Sequence, residues 1–554
     1  MCDLGGANKA AGGAAPAARL LCALALGLLS CLMCAPAPAA EGAAPATTHP
    51  ARPAGVDWFD GSIAQAFARA RQTHQPVFLY WSAAWCPPCQ ELKVTIFKRR
   101  DFLDRLHLFV PVYVDGDAPG AQAIGDRFHV SGYPSVVVLR EDQAELERVS
   151  GGMDLARYAE VLDLALGQQQ TAHDLLAGAA AADPLSAGDC QRLAYNDWEP
   201  YAAAGDQAES LEELARSLEL AARHCPAQLR VERARLQVTA VEAAANALEM
   251  RRSEPAAGAP AARPAPRSGA PLDALLPLVP PILADRALAL AVGDTLQRLP
   301  AAYFAAAVAA APGQRAQLRA RWFALLDTLA QDPRYSAADQ IDTLRCKLTA
   351  AKALEPDGRV PPALARSVRQ RIDAGVAAEK DAYARASFIN SALNALYALG
   401  DSERASAILY GEIRSAAHPY YYMSDLAELE EKRGHREAAI DWFARSYRTA
   451  QGPATRFQWG VGYVRALVRL TPQDDAAIRA ASIEVLGDLD ASGDLHGRTR
   501  RSLGRLDASL RQWNREGTHA AAVADIRGRM QDICGRLPAG DDAGKDCKDF
   551  LGAG

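Results

Sequence analysis

The chain has 554 residues, 49% apolar and 23% charged, with a net charge of -5. That length exceeds what one compact core organises and points to about three units. The small acidic balance and the lack of a long basic stripe exclude a nucleic-acid surface, and the local run Lys98-Arg99-Arg100 reads as a solvated helix end.

The first predicted element is a leader over 1–40. Lys9 and Arg19 precede an apolar stretch at 20–34, and small residues follow at 35–40. A basic start, about 15 apolar residues and an Ala-rich end predict a secretory signal. A membrane span needs about 20 apolar residues. Two alternatives stay open: an uncleaved membrane anchor, or a lipoprotein box with lipid on Cys31. Export changes the meaning of cysteine. Of the 11 cysteines, Cys2, Cys22, Cys31 and Cys34 fall in the leader. The others are Cys86, Cys89, Cys190, Cys225, Cys346, Cys534 and Cys547. In an oxidising compartment they tend to pair, and an odd number leaves one over.

Residues 41–55 are rich in Ala, Pro and Thr and read as a flexible tether. A unit follows at 56–168. It opens with Trp58-Phe59 and a helical pattern at Ile63–Thr73, with Ile63, Phe67 and Ala70 on one face. Strands are expected at 76–81, 108–114, Ser135–Leu139 and, more weakly, 146–149. Helices are expected at 86–97, 121–128 and 155–166. Helices alternate with strands and then give way to a hairpin, which predicts a small α/β domain.

From about 170 onward the pattern is helical throughout. A first helical segment covers 169–250. Eight prolines then fall within 251–281, a density that cannot continue a helix, so a Pro/Ala-rich linker is expected there. A helical-repeat region occupies 282–550. Within it, Leu399-Gly400-Asp401-Ser402-Glu403-Arg404-Ala405 recurs 34 residues later as Arg433-Gly434-His435-Arg436-Glu437-Ala438-Ala439, and the two units close near Pro419 and Pro453. Over 386–453 this resembles the tetratricopeptide repeat: a turn Gly, Ala five later, a large apolar residue (Leu409, Phe443), then Pro. Tyr420, Tyr421, Tyr422 and Trp442 either line a peptide groove or pack the repeat core.

The chemistry concentrates at Trp85-Cys86-Pro87-Pro88-Cys89. Cys86 follows a strand and opens a helix, where free N–H groups and positive potential stabilise a thiolate. Cys86 is thus expected to be exposed and nucleophilic. Cys89, one turn on, is placed to resolve a mixed disulfide. A zinc site needs four ligands, and no second Cys or His pair lies near.

This segment resembles the active site of the thioredoxin superfamily. Val130-Ser131-Gly132-Tyr133-Pro134-Ser135-Val136 strengthens the likeness, because Pro134 matches the cis-proline that faces the cysteine pair at a strand start. The likeness covers 56–168 and is greatest to bacterial periplasmic members such as the C-terminal domain of the DsbD reductase. The Gly-Tyr-Pro-Ser segment is similar to that of protein disulfide isomerases, and Pro87-Pro88 to that of tryparedoxins.

The resemblance implies a periplasmic thiol:disulfide oxidoreductase. Its site would comprise Cys86 as nucleophile, Cys89 as resolving thiol, Pro134 positioning the substrate, and Trp85, Pro87 and Pro88 shaping the site. No dissociable cofactor and no metal is implied. The implied partners are proteins with disulfides or thiols and a DsbD-type membrane reductase. Two departures stand out: the buried acid that many relatives carry six residues before the first cysteine is Tyr80, and another acid is replaced by Ala84. Three alternatives stay open: a water moves the proton, Glu91 does, or resolution is slower. With no His in the dipeptide and no N–H on Pro87, the pair is expected to reduce or isomerise rather than oxidise.

Cys190 and Cys225 bracket helical sequence around a Gly205-Asp206 turn and are candidates for a structural disulfide. Cys534 and Cys547 flank a Gly/Asp-rich loop whose closure would contribute about 3 kcal/mol. Cys346 is then the odd one. A rival reading makes the chain an adaptor or assembly factor, with the helical region binding partners and the cysteine pair turning over little.

Overall fold

The computed structural model describes residues 52–130, 132–149, 158–179, 184–198, 207–253, 271–492, 495–536, 547 and 549–552. The expected leader at 1–40 and the start of the tether lie outside them.

The N-terminal part is a small α/β domain. Its elements are α1 (Ile63–Thr73), β1 (Val77–Ser82), α2 (Pro87–Val94), α3 (Arg100–Leu106), β2 (Val110–Asp115), α4 (Ala121–Arg127), β3 (Ser135–Leu139), β4 (Glu145–Val149) and α5 (Tyr158–Leu164). The sheet order is β2-β1-β3-β4. β1 pairs parallel with β2 and antiparallel with β3, which pairs antiparallel with β4. Successive side chains of a strand alternate between faces. Phe78 and Tyr80 of β1 therefore join Trp58, Phe97, Phe102 and Tyr158 on one side, while Val77, Leu79 and Trp81 meet Phe67, Phe128 and Val137 on the other. Both faces are covered, so all of β1 is buried. β2 is an edge strand with alternating burial and tolerates Pro111.

Two sequence expectations shift here. The helix drawn over 86–97 ends at Val94 and passes into a 3-10 turn, and α3 was not anticipated. Its seven residues end on Leu106 and place only Phe102 and Leu106 inside, too few apolar positions to reveal a period. Leu108, expected in the second strand, stands exposed before it.

A long all-helical region follows. Helices α6 (Ala172–Ala179), α7 (Ala187–Tyr195), α8 (Gln207–His224) and α9 (Arg230–Ser253) come first. Then come α10 (Pro271–Leu275), α11 (Val279–Ala284), α12 (Arg286–Ala291), α13 (Gly293–Leu296), α14 (Ala301–Ala310), α15 (Arg315–Leu329) and α16 (Ala337–Leu354). The last group is α17 (Pro362–Ala378), α18 (Ala382–Leu399), α19 (Ser402–Ser415), α20 (Pro419–Lys432), α21 (Arg436–Thr449), α22 (Pro453–Leu470), α23 (Asp475–Ser492), α24 (Gly497–Trp513) and α25 (Ala520–Cys534). The linker expected at 251–281 is corrected in its last part, because 271–284 is helical. Pro271 opens α10, Pro277 sits in the 3-10 turn Leu276–Leu278, and Pro280 lies in the first turn of α11. The missing proline N–H is no loss in a first turn, since that donor has no helical partner anyway.

The 34-residue offset is visible in space: α19 and α21 start 34 residues apart, as do α20 and α22. Gly400 and Gly434, both left-handed, close the helices before α19 and α21. One continuous core runs from the sheet through α6–α9 and on to α16. Further cores lie around α16–α20 and α21–α25.

Candidate functional site

Cys86 is the N-cap of α2, and its Sγ accepts the Cys89 N–H at 3.2 Å. Pro87 and Pro88 occupy the first two helical positions, so neither has an amide to offer the sulfur. Cys89 supplies the first amide of α2. Cys86 and Cys89 are joined as a disulfide. Tyr80, in place of a buried acid, donates its hydroxyl to the Cys89 carbonyl at 3.3 Å. Burial pushes that phenol far above its usual range. The Tyr133–Pro134 bond is cis, and Tyr133 packs with Trp85 against the cysteine cluster.

The expectation of an exposed Cys86 is overturned: Cys86 is 2% exposed and Cys89 0%. The reason lies far along the chain. α2 packs along α18, with the Lys93 ammonium 5.1 Å over the Tyr383 ring. The Trp85 ring stacks on Tyr421 at 6.1 Å and meets Trp459 edge-on at 6.5 Å. Of the aromatics weighed as a groove, Tyr420 and Tyr422 are buried, and Tyr421 stacks on Trp85 beside the cysteine pair.

Asp117, which follows β2, gathers this contact. It accepts Trp85 Nε1 at 2.8 Å. It also accepts the Thr455 N–H at 3.1 Å and the Thr455 hydroxyl at 2.7 Å, so it caps α22. Arg498 pairs with it as well. The Arg498 guanidinium lies 5.3 Å over Trp85 and 5.0 Å over Tyr133. α24 is capped from the same domain: Gly497 N–H donates to Asp126 at 2.9 Å and Arg498 N–H to Gln122 Oε1 at 2.7 Å. The approach is tight. A Cβ on Gly452 would sit 2.6 Å from the Asp117 Cβ, and one on Gly497 would sit 2.7 Å from Gln122 Oε1.

Glu91 does not face the sulfurs. It is two positions along the helix from Cys89, and residues so spaced point apart. Burial raises its pKa, opposed by hydrogen bonds from Ser336 and Ser387 and reinforced by Asp342 and Glu379. Asp339 is pushed up to about 7 by burial and then by Glu91.

Outside the site, Cys190 is bonded to Cys225 and Cys534 to Cys547, while Cys346 is free and buried. Sequence reasoning missed Asp117, Gln122, Asp126, Thr455 and Arg498. Nothing in the local pattern marks these residues.

A four-stranded mixed sheet with helices on both faces and a Cys-x-x-Cys pair at a helix N-terminus defines a thioredoxin-like domain. Residues 63–166 match the family described as thioredoxin-like domain. No curated protein is similar enough to the chain to give a match.

Proposed function

We propose that the chain is an exported thiol:disulfide oxidoreductase that reduces or isomerises protein disulfides through Cys86 and Cys89. The observation that carries this reading is the cysteine pair at the start of α2, with Cys89 N–H donating to Cys86 Sγ at 3.2 Å. A sulfur at that place is stabilised as a thiolate once reduced. Cys86 attacks a client disulfide and forms a mixed disulfide. Cys89 then attacks Cys86, releasing the client thiol and leaving the Cys86–Cys89 disulfide. Each reductive cycle takes two electrons from a donor, for which a DsbD-type membrane reductase in a bacterial periplasm is the fitting class; in isomerisation a client thiol displaces Cys86 and no electrons are consumed. The single amide at Cys86 supports a reducing or isomerising role, because a less stabilised thiolate makes the disulfide less oxidising. The helical region, tetratricopeptide-like at 386–453, selects the partner.

The experiment is Cys89→Ala in the full chain. It traps the client as a mixed disulfide on Cys86, visible as a reductant-sensitive band that Cys86→Ser removes. Recovery of no such adduct from a native extract rejects the reading.

The burial of both sulfurs favours a second reading, an adaptor whose helices bind partners while the pair turns over little. Under it Cys86→Ser keeps the cellular role; under the first it loses it.

A further inference from the structure

The residues around the cysteine pair form a slot for a cation. Its floor is the faces of Trp85 and Tyr133, and its wall is the Asp117 carboxylate. Arg498 fills it in the present state. Both partners of the ion pair are nearly sealed, with side chains 9% and 11% exposed. A carboxylate so buried needs a cation and hydrogen-bond donors around it, and three of the groups that donate to Asp117 come from the helical region: Thr455 N–H, Thr455 hydroxyl and Arg498. The two surfaces are complementary in sign. The domain side carries Asp117 and Asp126; the helical side carries Arg498, Arg500 and the N-termini of α22 and α24. The fit is incomplete at the guanidinium itself, whose Nε and Nη1 are buried with no hydrogen-bond partner among the described residues. Buried donors left unmade weaken the closed contact and favour exchange for an occupant that satisfies them.

Resting on the thiol:disulfide reading above, we propose that this slot is the docking site for a basic client segment, and that the helical region inhibits the pair by placing Arg498 in it. A client that carries Arg or Lys beside its cysteine displaces Arg498, uncovers Cys86 and is positioned for exchange. Clients with an acid there meet Asp117 and are rejected.

Two readouts on the full chain test this. The first follows alkylation of the reduced protein by iodoacetamide, peptide by peptide. Arg498→Met is expected to speed modification of Cys86 at least about tenfold, with Arg498→Lys in between, while the buried free Cys346 stays unmodified. Equal rates at Cys86 in wild type and Arg498→Met, or a parallel rise at Cys346 that signals general loosening, overturns the proposal. The second uses two glutathionylated peptides identical except for Arg or Glu next to the cysteine. The Arg peptide should oxidise the reduced chain at least about tenfold faster, and Asp117→Asn should erase the difference. No preference in wild type also overturns it. If neither peptide reacts even with Arg498→Met, although Cys86 alkylates freely, the thiol:disulfide reading falls while Arg498 remains the inhibiting plug.

Discussion

At the scale of single residues, the site is tuned by what two prolines withhold. A helix N-terminus ordinarily aims several amides at its cap, but Pro87 and Pro88 have none, and Cys89 N–H is the donor that reaches Cys86. Pro88→His restores one amide and adds a ring cation. The Cys86 pKa should fall by about one unit, which raises the potential by about 30 mV. Glutathione equilibration measures it, and an unchanged potential would show that the first turn of α2 does not set the poise. Tyr80 is the other residue-scale departure. Its hydroxyl holds the Cys89 carbonyl and, with its pKa driven upward by burial, has no proton to exchange near neutrality.

Between elements, two linkages fasten the first helices to the sheet. Arg192 of α7 reaches into β4, donating to the Leu146 carbonyl at 2.9 Å and facing Glu147 at 3.4 Å, both side chains essentially buried. Burial pushes the Glu147 carboxyl up to about 8, so Arg192→Met leaves a buried acid and the Leu146 carbonyl without their donor rather than a bare charge, and should cost about 1–3 kcal/mol, read as an earlier urea midpoint. Beyond α7, Asn196 and Asp197 pair with Arg148 and cover the free edge of β4. The Cys190–Cys225 bond ties α7 to the end of α8 across 35 residues. Cys190→Ser together with Cys225→Ser should lower stability by about 4 kcal/mol. A midpoint that does not move would mean that the helix pair holds itself.

For the whole molecule, the question is what keeps the helical region seated on the cysteine pair. One answer depends on pH. Asp339 takes up its proton near 7 in the folded chain against an ordinary 3.8. A raised carboxyl contributes fully below the lower value, loses ground as pH climbs through that window, and is a net cost above the upper one. The melting temperature should therefore fall between about pH 4 and pH 7. Glu91→Gln removes the largest contribution after burial to the rise at Asp339 and should make the profile shallower, as differential scanning calorimetry would record. An equal slope in the variant would place the titrating group elsewhere. Gly452→Ala tests the same closure sterically, since its Cβ would collide with Asp117. It should raise the iodoacetamide rate at reduced Cys86, and a rate unchanged from wild type would mean that the close approach is not needed.

Much of this was legible along the chain because its causes are local. A run of β-branched residues marked Ser135–Leu139 as a strand, the apolar spacing of Ile63, Phe67 and Ala70 marked α1, and a 34-residue recurrence marked paired helices. Each depends on neighbours within a few residues or on a repeat. α3 and the helical stretch after Pro271 were illegible, because a short helix shows no period and proline in a first turn looks like proline in a linker. Local pattern is enough to place a cysteine pair at a helix start in an α/β domain and a long helical array behind it. That the array lies on the pair follows from long-range packing alone. That contact joins Asp117 to Thr455 and Arg498, 338 and 381 residues away. Its energy comes from desolvated charge and stacked rings that no local pattern encodes, and it turns a sulfur expected in solvent into one that must be uncovered before it can react.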